Sequence, residues 1–365
     1  MVEFANKINL IPEYVPGKSI ENISGKWGIK PEKIVKLASN ENPLGPPEEV
    51  VNFLEKEVKN VNIYPDRIGI SLLKKLSEYY SISVENLFIG NGSSEIVDML
   101  CRIMLNPGDS GLTYEKEFAL YKTCIKASDG ELIEIPLEEN FKRNVEAIPK
   151  NVNENTKVIF IANPNNPTGD FIEKDNLVET IEKIPENVLT VVDEAYIEYI
   201  GEENSLLNYF KESGRENLVI LRTFSKIYGL AGLRVGYCFA DKNIINALRK
   251  IKLPVNVPYL SQKGCEIALD CENFKEKSRR LVEEEKLRIF EIFKQNNIEY
   301  IEAKGNFYLV KDNNASKTVE KLESKGVVVR SLKPYSIDNY FRVTVGTERQ
   351  NNIFLEEFLK TRGKN

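Results

Sequence analysis

Five short apolar runs, each passing straight into a loop rich in Gly, Asn, Ser or Asp, constrain this chain more than any other feature. They cover residues 88–89, 158–161, 188–192, 218–221 and 235–239, and longer stretches with helical periodicity separate them. Short buried strands alternating with helices predict an α/β fold with a largely parallel sheet. In such sheets ligands bind beyond the carboxyl ends of the strands, so the polar loops are expected to converge on one crevice. Residues 274–297, "FKEKSRRLVEEEKLRIFEIFKQNN", read as one long helix with Val282, Ile289 and Phe293 on one face and a solvated charged surface elsewhere. Short strands expected at 307–310, 327–330 and 340–345 make a smaller α+β lobe. The expected division is an N-terminal arm over 1–30 with little periodicity, a large domain over 31–270 and a small domain over 271–365, which the N-terminal segment joins.

Charge and composition remove whole classes of function. Fifty Lys and Arg against 55 Asp and Glu give a net charge of -5, so no global basic field exists for nucleic acid or an anionic membrane. No apolar run approaches the roughly 20 residues of a membrane span, and the start lacks a basic-then-apolar secretory pattern, so a cytoplasmic location is expected. The five cysteines, Cys101, Cys124, Cys238, Cys265 and Cys271, contain no C-x-x-C pair; reduced, mostly buried thiols are expected, with no metal site. Histidine is absent. That excludes Ser-His-Asp triads, Cys-His dyads and zincin sites, and leaves acid–base work to Lys, Tyr, Asp, Glu or Cys.

Four loops carry chemistry. "NGSSE", Asn91 to Glu95, precedes an amphipathic run; Gly92 allows close approach, and Ser93 and Ser94 offer donors at a helix N-terminus, either as an anion site or as an ordinary cap. "NPNNPTG", Asn163 to Gly169, follows a strand and can project Asn166 towards the crevice, or simply turn the chain. "VVDEAYIEY" places Asp193 at the end of a buried strand, where a carboxylate is costly unless it meets a cation or donors; Tyr196 can reach the same place. In "RTFSKIYGLAGLRVGY", Thr223 and Ser225 flank Lys226, and Arg234 follows eight residues on. Hydroxyls and a bidentate arginine suit a phosphate, and the lysine amine can condense with an aldehyde. The set describes a site for pyridoxal 5'-phosphate, with a lysine for the aldehyde, an aspartate for the ring nitrogen, Asn and Tyr for the ring oxygen, and hydroxyls with arginine for the phosphate.

These residues resemble the fold-type I aminotransferases, and more closely the histidinol-phosphate aminotransferase family. The resemblance runs through "PEYVPGKSIE", "KLASNENPLGPP", "YPD", "NGSSE", "NPNNPTG", "DEAYIEY", "RTFSKIYGLAGLRVGY" and "FRVTVGT", in the family's order. It implies a large domain with a mostly parallel sheet of the seven-stranded type between helices, a smaller α+β domain, a homodimer, and the substrates histidinol phosphate and glutamate or 2-oxoglutarate. By the same resemblance Lys226 looks like the lysine that bonds the cofactor, Asp193 the partner of the ring nitrogen, and Asn166 and Tyr196 the partners of the ring oxygen. Ser93, Ser94, Thr223, Ser225 and Arg234 would take the phosphate, with Tyr64 reaching it from the neighbouring subunit. Arg342 and Arg330 would receive the substrate's anionic end, near Tyr14. Where many members have "PTY", this chain has "LTYEKEFALY"; Phe118 aligns as the ring stacked on the cofactor, with Tyr114 as the alternative and a core aromatic as the plain reading.

Rival readings have weaker footing. "GLAGLRVG" lacks the G-x-G-x-x-G spacing of a nicotinamide dehydrogenase, and the arm before Trp27 is too short for the helix-turn-helix that a cofactor-sensing transcription regulator needs. An aromatic aminotransferase and a phosphothreonine decarboxylase share the resemblance and remain alternatives.

Overall fold

The computed structural model describes residues 2–11, 13 and 17–362. Among them, β1 (Val35–Leu37) pairs with a strand late in the chain. The next seven are β2 (Leu87–Asn91), β3 (Ser110–Tyr114), β4 (Glu131–Ile135), β5 (Thr156–Ala162), β6 (Leu189–Asp193), β7 (Leu218–Thr223) and β8 (Val235–Phe239), and they form one sheet in the order β2-β8-β7-β6-β5-β3-β4. β9 (Tyr300–Glu302), β10 (Phe307–Lys311), β11 (Val327–Ser331) and β12 (Tyr340–Thr344) join β1 in a second sheet, β1-β11-β12-β10-β9. The five expected strands of the large sheet and the three of the small one are all present. Between Ser110 and Ile135, β3 and β4 add two that the apolar pattern did not announce.

The chain divides into two compact units. One comprises Met1–Glu13, Pro46–Asn166 and Asp170–Glu272; the other comprises Tyr14–Gly45, Pro167–Gly169 and Asn273–Asn365. Residues 31–45 therefore group with the small unit, not the large one. The cause is β1, which adds parallel to β11 with Val35 opposite Val327, while Ile34 and Ala38 pack with Ile23 and Val328. Nor is the expected arm featureless: Ile20–Trp27 is a helix, begun by a reciprocal Ser19–Asn22 cap and ended by Gly28 at φ +66°.

In the large unit only β8 runs against its neighbours; β2, β7, β6, β5, β3 and β4 all point the same way. The carboxyl ends of those six strands and the start of β8 consequently share one edge. Alternate residues serve opposite faces, Ile159 and Ile161 packing with one core cluster and Val158 and Phe160 with the other. Burial on both faces is why these strands read as unbroken apolar runs.

The long helix of the small unit, Glu272–Gln295, buries Val282, Ile289 and Phe293 as expected. It also buries two of its charges, which corrects the solvated reading. Glu285 accepts from Arg288 and Asn351, and Lys286 donates to the carbonyls of Ala303 and Gly305 at 2.6 Å each. Burial pushes the Lys286 amine down to about 8. All five cysteines are free and buried, and no helix among the described residues is long and apolar enough to cross a membrane.

Candidate active site

The shared edge of the large sheet gathers the motif loops. β2 ends at Asn91 and the helix Gly92–Met104 starts at once, Gly92 having φ +75°. Two glycines make the approach possible. A Cβ on Gly92 would lie 2.6 Å from Arg234 Nη2, and one on Gly236 would lie 2.1 Å from the Ser93 nitrogen. The start of the helix thus packs directly on β8, with Ser93 and Ser94 half-buried in its first turn. The turn is held from behind: Glu95 accepts from the Asn91 amide at 2.6 Å and from Asn256 Nδ2 at 2.6 Å.

β7 ends at Thr223, beside Gly236 of β8. The Thr223 hydroxyl accepts from the Ser225 amide at 3.1 Å, and Arg234, itself left-handed at φ +57°, reaches the Ser225 hydroxyl at 3.5 Å and the Ala231 carbonyl at 3.1 Å. Hydroxyls, helix amides and a guanidinium are therefore concentrated at one corner, the composition of an anion site. Lys226 is half-buried in the same loop, its Nζ 5.4 Å from the centre of the Tyr196 ring.

Asp193 closes β6 and is 7% exposed. Its Oδ2 accepts from the Tyr121 hydroxyl at 2.8 Å and its Oδ1 from the Ala195 amide at 3.1 Å. Burial pushes its carboxyl up to about 6, while Tyr121, the Ala195 amide and the nearby Lys226 cation pull the other way. Tyr121, the last residue of "LTYEKEFALY", is not among the residues that the sequence motifs single out. It stacks on Phe160 with ring centres 4.9 Å apart, and half-buried Phe118 stands edge-on to it at 5.7 Å.

Tyr114 does not suit the stacking role. It is fully buried in the core of the other sheet face, with its hydroxyl donated to the Asn144 carbonyl. Asp193, continuing the alternation of Leu189 and Val191, belongs to the face that Phe118 packs on. Asn166 lies half-buried in the turn after β5, which Asn163 anchors by donating its amide to the Asp193 carbonyl at 2.8 Å.

Beneath these loops Arg222 is completely enclosed. It meets Glu194 at 2.8 Å, Glu198 at 3.3 Å, Glu202 at 3.0 Å and the Ser205 hydroxyl at 2.9 Å. That cluster ties the loop after β6 to the end of β7, four residues ahead of Lys226.

Tyr64 is 87% exposed in a segment whose Asp66 caps the next helix, accepting from the amides of Ile68 and Ile70. In the small unit, Arg330 and Arg342 are register partners across β11 and β12, and both are buried. Arg342 donates to the Ala38 carbonyl at 2.9 Å and lies over the Phe307 ring. Tyr14 lies outside the described residues.

Residues 32–358 match the family described as aminotransferase class I and II. The chain belongs to that family. It is accordingly a pyridoxal-phosphate-dependent aminotransferase. It is 37% identical to a histidinol-phosphate aminotransferase of Caldicellulosiruptor saccharolyticus, over 97% of this chain and 98% of that one. It is 39% identical to histidinol-phosphate aminotransferase 2 of Carboxydothermus hydrogenoformans, over 96% of each. The crystal structure of histidinol-phosphate aminotransferase from Sinorhizobium meliloti in complex with pyridoxal-5'-phosphate superposes with a TM-score of 0.88 over 99% of both chains; at 22% identity this likeness bears on the fold.

The large unit fits the cofactor on its own geometry. The glycine-lined corner supplies anion donors, Lys226 an amine, and Asp193 a buried carboxylate at a strand end whose charged form a cation would stabilise.

Proposed function

We propose that this aminotransferase exchanges an amino group between L-histidinol phosphate and 2-oxoglutarate, giving imidazole acetol phosphate and L-glutamate in histidine biosynthesis. The observation that carries this reading is the gathering of the Ser93, Thr223, Ser225, Lys226 and Arg234 loops and Asp193 at one sheet edge. Near-full-length relatives named for histidinol phosphate supply the substrate.

Bound pyridoxal phosphate supplies an aldehyde for the amino group and a ring that draws electrons from the substrate's α-carbon. The chain's residues do the rest. Ser93, Ser94, Thr223, Ser225 and Arg234 donate to the phosphate, and Phe118 covers one face of the ring. Asn166 and Tyr196 donate to the ring oxygen, and Asp193, kept towards its ionised form by Tyr121 and the Ala195 amide, holds the proton on the ring nitrogen. Lys226 would be the amine that condenses with the aldehyde and, when free, the base that would carry the proton at the substrate's α-carbon.

Each half-reaction presents a different anion, a carboxylate or a phosphate monoester. A planar guanidinium donates two parallel hydrogen bonds to either, so Arg342 with Arg330 is assigned to this end of the substrate, with Tyr14. Tyr64 is assigned to the phosphate of a neighbouring copy in a homodimer. Its exposure, together with that of Val58, Val61 and Ile63 at 54%, 60% and 64%, leaves an apolar patch suited to burial against a second chain.

The test is a donor screen on the purified holoenzyme with 2-oxoglutarate, followed at the cofactor absorbance band, with borohydride reduction and peptide mapping beside it. Histidinol phosphate should be the preferred donor, and the label should fall on Lys226. Equal turnover of phenylalanine overturns the substrate, CO2 release from phosphothreonine overturns the reaction, and a label on another lysine overturns the site.

A further inference from the structure

The stretch "LTYEKEFALY", where the sequence departs from the family's "PTY", contains a carboxylate that is 0% exposed: Glu117, immediately before Phe118. Its Oε1 accepts from Arg143 Nη1 at 2.9 Å and from the Ala162 amide at 3.3 Å, and its Oε2 accepts from the Thr113 hydroxyl at 2.7 Å. Arg143 comes from the "FKRN" stretch, and its side chain is equally enclosed. It uses its remaining donors on the end of β5 and the turn after it: the Ala162 carbonyl at 2.5 Å, Asn163 Oδ1 at 3.1 Å, and the carboxylate and carbonyl of Asp170 at 3.0 and 3.1 Å. Lys142 also meets Asp170, at 2.8 Å. Two cations thus match two carboxylates.

The cluster joins two segments at several points. Asn165 donates its amide to the Asp170 carbonyl at 2.8 Å and its side chain to the Lys116 carbonyl at 2.9 Å, so the turn bearing Asn166 is bound directly to the segment bearing Phe118. A buried ion pair is a poor source of stability, since apolar residues of similar volume often serve as well or better. What apolar residues do not supply is direction. Arg143 sets the carbonyl of Ala162 and both ends of the turn, and Glu117 sets the backbone beside Phe118.

We infer that the Glu117–Arg143 pair, with Asp170, is a positioning element for the cofactor ring, holding Phe118 from one strand end and the Asn163–Asn166 turn from the next. This rests on the proposed contacts of Phe118 and Asn166 with the cofactor, and neither Glu117 nor Arg143 touches the reacting atoms.

The experiment titrates pyridoxal phosphate into the apoenzyme of each variant and reads the dissociation constant, the circular dichroism of the bound cofactor and the thermal midpoint. Phe118→Ala and Asn166→Ala test the underlying contacts. The double variant Glu117→Gln/Arg143→Met removes both charges together and avoids stranding either. Because the Ala162 and Asp170 carbonyls lose a donor, it should melt below the wild type but remain folded, yet bind the cofactor at least about tenfold more weakly with a diminished dichroic band, and Arg143→Lys should fall between. If Phe118→Ala and Asn166→Ala weaken the cofactor while the double variant binds it as the wild type does, the pair is structural only and the inference is overturned. If neither Phe118→Ala nor Asn166→Ala weakens it, the contacts themselves are wrong, and the inference falls with them. Should the double variant not fold, Glu117→Gln, which keeps the side-chain shape, decides by the same dissociation constant and dichroic band.

Discussion

The two units hold buried arginines in opposite ways. In the large unit Arg222 meets three carboxylates and Arg143 meets two, all fixed by the chain. In the small unit Arg330 and Arg342 face each other across adjacent strands, like charge to like charge. Directly opposed like charges weaken a strand pair, and buried cations are expensive. A cation matched inside the protein is part of the frame. The facing pair in the small unit is the one that the proposed function assigns to the carboxylate or phosphate of a substrate, which a planar guanidinium can grip with two parallel hydrogen bonds.

The sharpest way to break this contrast is Arg222→Met. Removing one member of a buried charge cluster typically costs about 3–5 kcal/mol, and here it leaves Glu194 and Glu198 buried without their cation. Urea unfolding should show a loss of that order, with activity falling along with the folded fraction. A variant of wild-type stability but no activity would move Arg222 from frame to function.

Arg342→Ala should do the reverse. Stability should fall by less than for Arg222→Met, because the Ala38 carbonyl and the Phe307 ring lose a contact but neither is a buried carboxylate left without its cation, while kcat/KM falls about a hundredfold for glutamate and histidinol phosphate alike, the size expected for a lost charge-assisted contact. Arg330→Ala should cost about tenfold and harm the phosphate substrate more than glutamate. Steady-state kinetics on both substrates, beside a melt, separates these outcomes. Indifference of the phosphate substrate to both changes would end the comparison.

The same contrast explains what was legible in the sequence. Asp193, Lys226 and Arg234 stand at or just beyond strand ends, in motifs whose residue types suit a phosphorylated aldehyde cofactor, so the pattern alone announces them. Arg143 and Lys286 sit in charged stretches that look solvated, and only tertiary packing buries them. Tyr121 looks like any core aromatic on a helix; its role lies in a hydroxyl aimed at a carboxylate 72 positions away. β4, "ELIEI", exposes part of its length at the sheet edge, and β3, "SGLTY", holds a glycine in mid-strand, so neither gives the unbroken apolar run of a central strand. β1 spans three residues, too few for a pattern, yet it decides which unit residues 31–45 join.

The last prediction concerns Asp193, a buried carboxylate for which the proposed function supplies a further cation from the cofactor. With its folded value raised from 3.8 to about 6, the apoenzyme keeps a proton that the unfolded chain releases across that window. Stability of the apoenzyme should therefore fall as pH rises from about 4 to 6 and level off above. The carboxylate faces the Tyr121 hydroxyl, the Ala195 amide, the Lys226 cation and the like charge of Glu194. Tyr121→Phe keeps the ring stacked on Phe160 and removes one donor to the ionised form, so the folded value should climb further and the fall should extend towards neutral pH. The loss above the window is expected to be about 1.5–3 kcal/mol, the size of a hydrogen bond to a charged group. Pyridoxal phosphate should oppose it, because a protonated ring nitrogen restores a partner for the carboxylate, and the gap between holoenzyme and apoenzyme melting should widen with pH. Thermal melts of both forms of wild type and Tyr121→Phe between about pH 4 and 8 decide the matter. Parallel curves for the two proteins would show that Tyr121 packs against this site without tuning it.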